Sequence, residues 1–170
     1  MMFLPRNDYV ALEKCRTIIE SELLDHGYYI YGWRQVPINN SVIGEKANST
    51  RPEIEQVMFV NNIERGKNFD YSKELYLVRR RLEKRIAKQQ INGFYVCSLS
   101  FESIIYKGLF LAEQLSIFYP DLANESFVSS YAVFHQRYST NTFPSWGLAQ
   151  PFRMLAHNGE INTCLLYTSP

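Results

Sequence analysis

Near the start of the chain, apolar residues recur at steps of three and four. Leu12, Cys15, Ile19 and Leu23 form one stripe, the spacing that lines up side chains on a single helix face. Asn7 and Asp8 carry side-chain oxygens suited to the first unpaired amides, so a helix is predicted from there to about His26, with Gly27 as its stop. From Tyr28 to Ile38 the pattern changes to a run rich in Tyr, Ile, Trp and Val, which predicts a strand ended near Pro37. The polar stretch from Asn39 to Arg51 reads as a loop, Glu53 to Val60 as a second strand, and Asn61 to Asp70, with Gly66, as a turn region.

Further along, Glu74 to Arg79 predicts a strand and Arg80 to Gln90 a helix, after which Asn92-Gly93 punctuates the chain. Phe94 to Cys97 is expected to form a hairpin with Ser103 to Tyr106. Leu109 to Phe118 reads as a helix stopped by Pro120. Phe127 to Tyr138 alternates as a long strand would, and Phe152 to Ala156 predicts a last strand running into His157-Asn158-Gly159. Helix patterns set among many strands with short hairpin-like turns predict an α+β domain with antiparallel sheets.

Composition narrows the function classes. At 170 residues the chain fits one domain, and 46% apolar against 21% charged residues gives enough to build a core and argues against disorder. The net charge of +1 argues against nucleic acid or an anionic membrane as a partner. No stretch approaches the roughly 20 apolar residues that span a bilayer, and Met1 to Arg6 has no secretory signal pattern. Cys15, Cys97 and Cys164 are odd in number and widely spaced, which points to a reduced, cytoplasmic compartment rather than a disulfide framework or a metal site.

Two segments could carry chemistry. In Met154 to Ile161, a strand ending in Asn158-Gly159 would set a side-chain amide beside an unobstructed backbone N–H, the pair of donors an oxyanion hole needs. The same dipeptide is also the strongest short hairpin signal, and both readings stand. In His135 to Trp146, Arg137 with Thr140 could clamp a carboxylate, because the guanidinium fork matches its geometry. The alternative is an ordinary surface arginine at a strand exit. The basic run from Arg79 to Lys88 reads as a solvated helix face, and His26 and His135 as structural. Cys15 and Cys97 read as small buried hydrophobes.

The two segments, HQRYSTNTFPSW at 135–146 and FRMLAHNGEINT at 152–163, resemble the class II glutamine amidotransferase domain of the glutamate synthase family. So do YIYGWRQVP at 29–37, IGEKANSTRPEIEQ at 43–56, ELYLVRRRLEK at 74–84, SIIYKG at 103–108 and EQLSIFYPDL at 113–122. The resemblance runs from about Phe3 to Thr163. It implies the four-layer αββα sandwich of N-terminal-nucleophile hydrolases, in which the first residue of the mature chain, a cysteine, attacks the glutamine amide. It also implies Asn158 and Gly159 as the oxyanion hole, and Arg137 with Thr140 on the substrate carboxylate. Ammonia would pass within the parent enzyme to an FMN site and aminate 2-oxoglutarate, with electrons delivered through an iron–sulfur cluster.

Departures from the family pattern set further expectations. The family's FLPRND segment lies well downstream of the catalytic cysteine, whereas here it stands at residues 3–8, so the nucleophile is expected to be absent and the chain inactive alone. Residues 1–163 are read as a partial amidotransferase domain incomplete at both ends, and 164–170 as a tail foreign to the family. No cofactor is expected in this segment. The implied partners are glutamine, the remaining synthase domains and a small reductase subunit, in the cytoplasm or in a plastid for a plant or algal source. The competing reading is a non-catalytic amino-acid-binding module.

Overall fold

The computed structural model describes residues 1–136, 138 and 143–152. Its centre is a four-stranded sheet in the order β2-β3-β1-β4, formed by β1 (Met2–Leu4), β2 (Tyr28–Gln35), β3 (Glu53–Asn61) and β4 (Tyr95–Val96). Every neighbouring pair is antiparallel. β1 was not foreseen from the sequence. Its three residues fall below the run length that marks a strand, yet Met2 pairs with both Glu55 and Val96, placing β1 inside the sheet.

Helix α1 (Tyr9–Asp25) forms where the apolar stripe predicts it. Asp8 caps it by accepting from the Ala11 amide at 2.9 Å, and Gly27, at φ 75°, supplies the left-handed turn after its end. Helix α3 (Tyr71–Lys88) corrects the expected strand Glu74 to Arg79: one continuous helix replaces that strand and the helix predicted after it. The Tyr76-Leu77-Val78 run has local strand character, but Leu75, Val78, Leu82 and Ile86 make a helical stripe and all are buried. The basic residues interleaved with that stripe are drawn into pairs, Arg79 and Arg80 with Glu83, and Arg85 with Glu22 on α1.

α1 and α3 pack on one face of the sheet, where their stripes meet Met2, Leu4, Tyr28 and Val57. On the opposite face Phe3, Val36 and Ile54 are covered by Phe118, Tyr119 and Trp146. Phe118 ends α4 (Leu115–Phe118), Tyr119 follows it and Trp146 lies in a turn at 145–149; the other short elements of this layer are a 3-10 turn Asn40–Val42, α2 (Glu45–Ser49), a 3-10 turn Ala112–Gln114 and a 3-10 turn Pro120–Ala123. Thus the expected loop 39–51 contains two helical turns, and the expected helix from Leu109 forms only in its last part.

Two further corrections concern strands. β4 pairs with β1 rather than with Ser103 to Tyr106, which adopt no strand. That segment is drawn into the loop layer instead: Ile105 N donates to Ser98 Oγ at 3.2 Å, and the Tyr106 hydroxyl reaches Asp121 at 3.0 Å. Residues 127–136 and 138 are not a strand either. Alternation alone cannot make one; its backbone groups need a neighbouring strand, and no described strand pairs with this segment. Val128, Tyr131, Val133 and Phe134 are exposed as a result. Phe152 is likewise outside any strand, and the rest of the predicted final strand, 153–156, lies outside the described residues.

A bulge in β2 decides which side chains reach which face. Ile30 stands opposite Phe59 and Gly32 opposite Met58, so Tyr31 is an extra residue. Gly32 has φ 146°, which an L side chain rarely adopts. Before the bulge Tyr28 and Ile30 face the helices. After it Trp33 does, while Val36 belongs to the opposite face and Arg34 reaches Asp121 there.

Candidate functional site

The layer of short elements carries the described parts of the segment between the two motifs. Residues 145–149 form a tight turn, with the Ala149 amide donating to the Ser145 carbonyl at 3.1 Å and the Leu148 amide to the same oxygen at 3.2 Å. Just ahead of it, the Ser145 amide donates to the Tyr138 hydroxyl at 3.0 Å. Trp146 is buried, with ring centroids 5.9 Å from Phe3 and 5.7 Å from Phe118, and its indole N–H donates to the Ala47 carbonyl at 3.0 Å. Gly108 allows this approach: a Cβ there would stand 2.5 Å from the Trp146 ring.

Lys107 holds the turn from the other side. Its side chain is buried, and Nζ donates to the Gly147 carbonyl at 2.7 Å and the Ala149 carbonyl at 2.8 Å. The ammonium also sits 4.0 Å from the Tyr95 ring centroid and 5.4 Å from that of Phe152. Its own carbonyl accepts from the buried Tyr119 hydroxyl at 2.8 Å. Burial lowers the Lys107 pKa from 10.5 to about 8. The neighbouring Cys97 thiol is pushed up to about 12 by burial, so it remains protonated beside the ammonium.

A second polar cluster stands on the same face. Arg34 makes a two-pronged pair with Asp121, at 2.8 and 2.7 Å, and bonds Gln56 at 3.0 Å. The pairing with Arg34 holds the Asp121 carboxyl below the usual carboxylate range, and burial, with the bond to Asp121, raises the Tyr106 hydroxyl. This group ties β2 and β3 to the Pro120–Ala123 turn. With every acceptor occupied from within the cluster, its evident role is to brace the layer.

The four residues expected to touch substrate, Arg137, Thr140, Asn158 and Gly159, lie outside the described residues. Among the described residues no group of three or more His, Cys, Asp or Glu side chains is placed to hold a metal. Cys15 and Cys97 sit in separate cores, and burial raises the Cys15 thiol to about 11. Neither fits a cluster ligand, nor a thiol ready to attack.

The family model described as "Glutamine amidotransferases class-II" matches residues 1–166. The chain belongs to that family. It is similar to the "Glutamate synthase [NADPH] large chain" of Azospirillum brasilense, at 64% identity over 163 residues, covering 95% of this chain and 11% of the relative. It is also similar to "Ferredoxin-dependent glutamate synthase, chloroplastic" of Spinacia oleracea, at 45% identity over 164 residues, 96% of this chain and 10% of the relative. It is similar as well to "Ferredoxin-dependent glutamate synthase" of Antithamnion sp., at 42% identity over 160 residues, 91% of this chain and 10% of the relative. The chain therefore spans about a tenth of the length of these relatives.

For a class II amidotransferase, Lys107 and the Arg34–Asp121 pair are the residues that reading the sequence did not single out. In the sequence Arg34 and Lys107 stand inside the family-like segments GWRQVP and SIIYKG. The signal for Lys107 was present: it is the one charged residue in the otherwise uncharged stretch 103–112, which a buried cation would need. Nothing local signals that Arg34 and Asp121, 87 positions apart, meet.

Proposed function

We propose that the chain is part of a glutamate synthase, the part that hydrolyses glutamine to glutamate and ammonia. Arg137 and Thr140 hold the substrate's α-carboxylate, and the Asn158 side chain with the Gly159 N–H stabilises the oxyanion. The nucleophile is an N-terminal cysteine of the parent enzyme. Its thiolate adds to the amide carbon, the C–N bond breaks, and the departing nitrogen takes a proton to leave as ammonia. Water then cleaves the thioester to release glutamate. The ammonia is used elsewhere in the parent to aminate 2-oxoglutarate, at an FMN site supplied with electrons through iron–sulfur chemistry. The described residues of this chain do not fit an iron–sulfur cluster.

The single observation that carries this reading is the match of residues 1–166 to the class II amidotransferases, with both motif segments inside it. The thiol chemistry is consistent with this: Cys15 and Cys97 are buried and their pKa values are raised, so neither is poised to act as the nucleophile. The four-layer αββα sandwich belongs to the same proposal. It would stack a second sheet on the face away from α1 and α3, where Tyr29, Tyr31, Met58 and Val60 are exposed. The enzyme is placed in the cytoplasm, or in a plastid for a plant or algal source. No helix among the described residues is long and apolar enough to cross a membrane.

The test is glutamine hydrolysis by the complete synthase carrying this segment. Asn158→Ala is expected to lower kcat by about 10²–10³-fold, and Arg137→Ala to raise KM more than it lowers kcat. Unchanged hydrolysis in both variants would remove the reading.

A further inference from the structure

An uncompensated ammonium in a protein interior is costly, and an apolar side chain of similar length is often the more stable choice there. Lys107 is such a group: it is 2% exposed, and its surroundings among the described residues supply carbonyls and aromatic faces rather than a carboxylate. What it holds is specific. The Gly147 and Ala149 oxygens belong to the short link between the segment with Arg137 and the segment with Asn158-Gly159. On the far side of that link Trp146 is fixed by its bond to the Ala47 carbonyl. The link is thus held at two of its carbonyls, with Trp146 fixed just ahead of it, and Lys107 also approaches the start of the second motif segment at the Phe152 ring, 5.4 Å away.

We infer that Lys107 is a positioning residue for glutamine hydrolysis, fixing the turn from which the oxyanion-hole segment departs. The inference rests on the proposed roles of Asn158 and Gly159. A donor pair that acts only on the transition state is sensitive to its placement, and an error of about 1 Å can cost on the order of a hundredfold. Releasing the turn therefore lowers kcat and leaves KM for glutamine nearly unchanged. Arginine keeps a positive charge and can still donate to both carbonyls, although its planar fork fits the site less well.

The experiment compares Lys107→Met, Lys107→Arg, Asn158→Ala and the double variant Lys107→Met/Asn158→Ala in the complete synthase. Glutamate release from glutamine and thermal unfolding are measured for each. Lys107→Met is expected to lower kcat about ten- to a hundredfold with KM within about threefold, and Lys107→Arg to recover part of the loss. The double variant is expected to be no slower than Asn158→Ala alone, because Lys107 works through that donor. Full additivity of the two losses overturns the inference, as does a Lys107→Met protein that unfolds earlier but turns over normally. If Asn158→Ala itself is silent, the functional reading has failed instead. If Asn158→Ala is slow and Lys107→Met is not, only the inference has failed.

Discussion

Replacing Lys107 by Met should change how stability depends on pH, in a direction the burial of its ammonium fixes. In the folded chain the Lys107 pKa is lowered to about 8, against 10.5 when exposed, and desolvation is the main cause. The charged form is therefore the disfavoured one in the native state. Below pH 8 both states carry the proton and the penalty is constant. Between pH 8 and 10.5 the unfolded state binds more protons than the native state, so the Lys107 contribution rises with pH. The rise from pH 7 to 9.5 is about 2 kcal/mol. Other groups facing the ammonium act in the same range. Cys97 and Tyr95 have raised pKa values and Arg79 repels the ammonium, while Cys15 elsewhere is also raised. The raised thiols have the opposite sign, removing stability above about pH 9, so wild-type stability alone can look flat. Urea unfolding of wild type and Lys107→Met at pH 7 and pH 9.5 isolates the term as a difference. The variant should lose ground to wild type by about 2 kcal/mol on going to the higher pH. A difference that does not move with pH would mean that the Lys107 charge is not desolvated in the folded chain.

Gly32→Ala and Gly27→Ala separate backbone strain from steric clash. A Cβ at Gly32 meets nothing within 4 Å, so its cost is the φ of 146° alone, about 1–2 kcal/mol. Gly27→Ala should cost more by equilibrium unfolding, because its Cβ would lie 2.7 Å from Ile63 Cδ1; an equal loss at both sites would mean that Ile63 moves aside at no cost. Asp121→Asn should flatten the acid limb of the stability curve. Its carboxyl is held low chiefly by Arg34, so the stability it contributes is full above the ordinary carboxylate range and lost as pH falls through the lowered value. Urea titrations between pH 3 and 6 would show it, and an unchanged acid limb would refute the pairing.

The parts of the fold that were legible in the sequence are those where independent signals agree. α1 has its stripe, its Asp8 cap and its Gly27 stop, and all three hold in the structure. α3 was half-legible, since the aromatic and branched residues at 76–78 masked a stripe that continues through them. β1 and the partner of β4 were not legible, because a three-residue strand is defined by what lies beside it. The bulge has its own sign in Gly32, since a glycine inside a strand pattern marks irregular pairing. At the candidate site, the segments bearing Arg137, Thr140, Asn158 and Gly159 stood out by residue type and spacing. Their support did not, because it is built from contacts between positions 12 to 99 apart, such as Tyr119 with the Lys107 carbonyl and Trp146 with that of Ala47.

That support differs in kind from the rest of the molecule. The helices hold the sheet through apolar stripes, which tolerate small shifts because burial has no direction. On the other face the elements are too short to satisfy their own backbones, and side chains from distant segments do so instead. Gln114 donates to the Val42 carbonyl at 2.6 Å, Trp146 to that of Ala47 and Lys107 to those of Gly147 and Ala149. Hydrogen bonds are directional, and leaving a buried carbonyl unpaired costs about 1–3 kcal/mol. A layer wired in this way resists sliding where an oily contact would permit it. On the proposed reading, that arrangement matters because the described link at 145–149, which joins the two motif segments in the chain, lies in this layer. Substitutions on α1 and α3 should therefore register chiefly as lost stability, and substitutions among these pins as lost turnover.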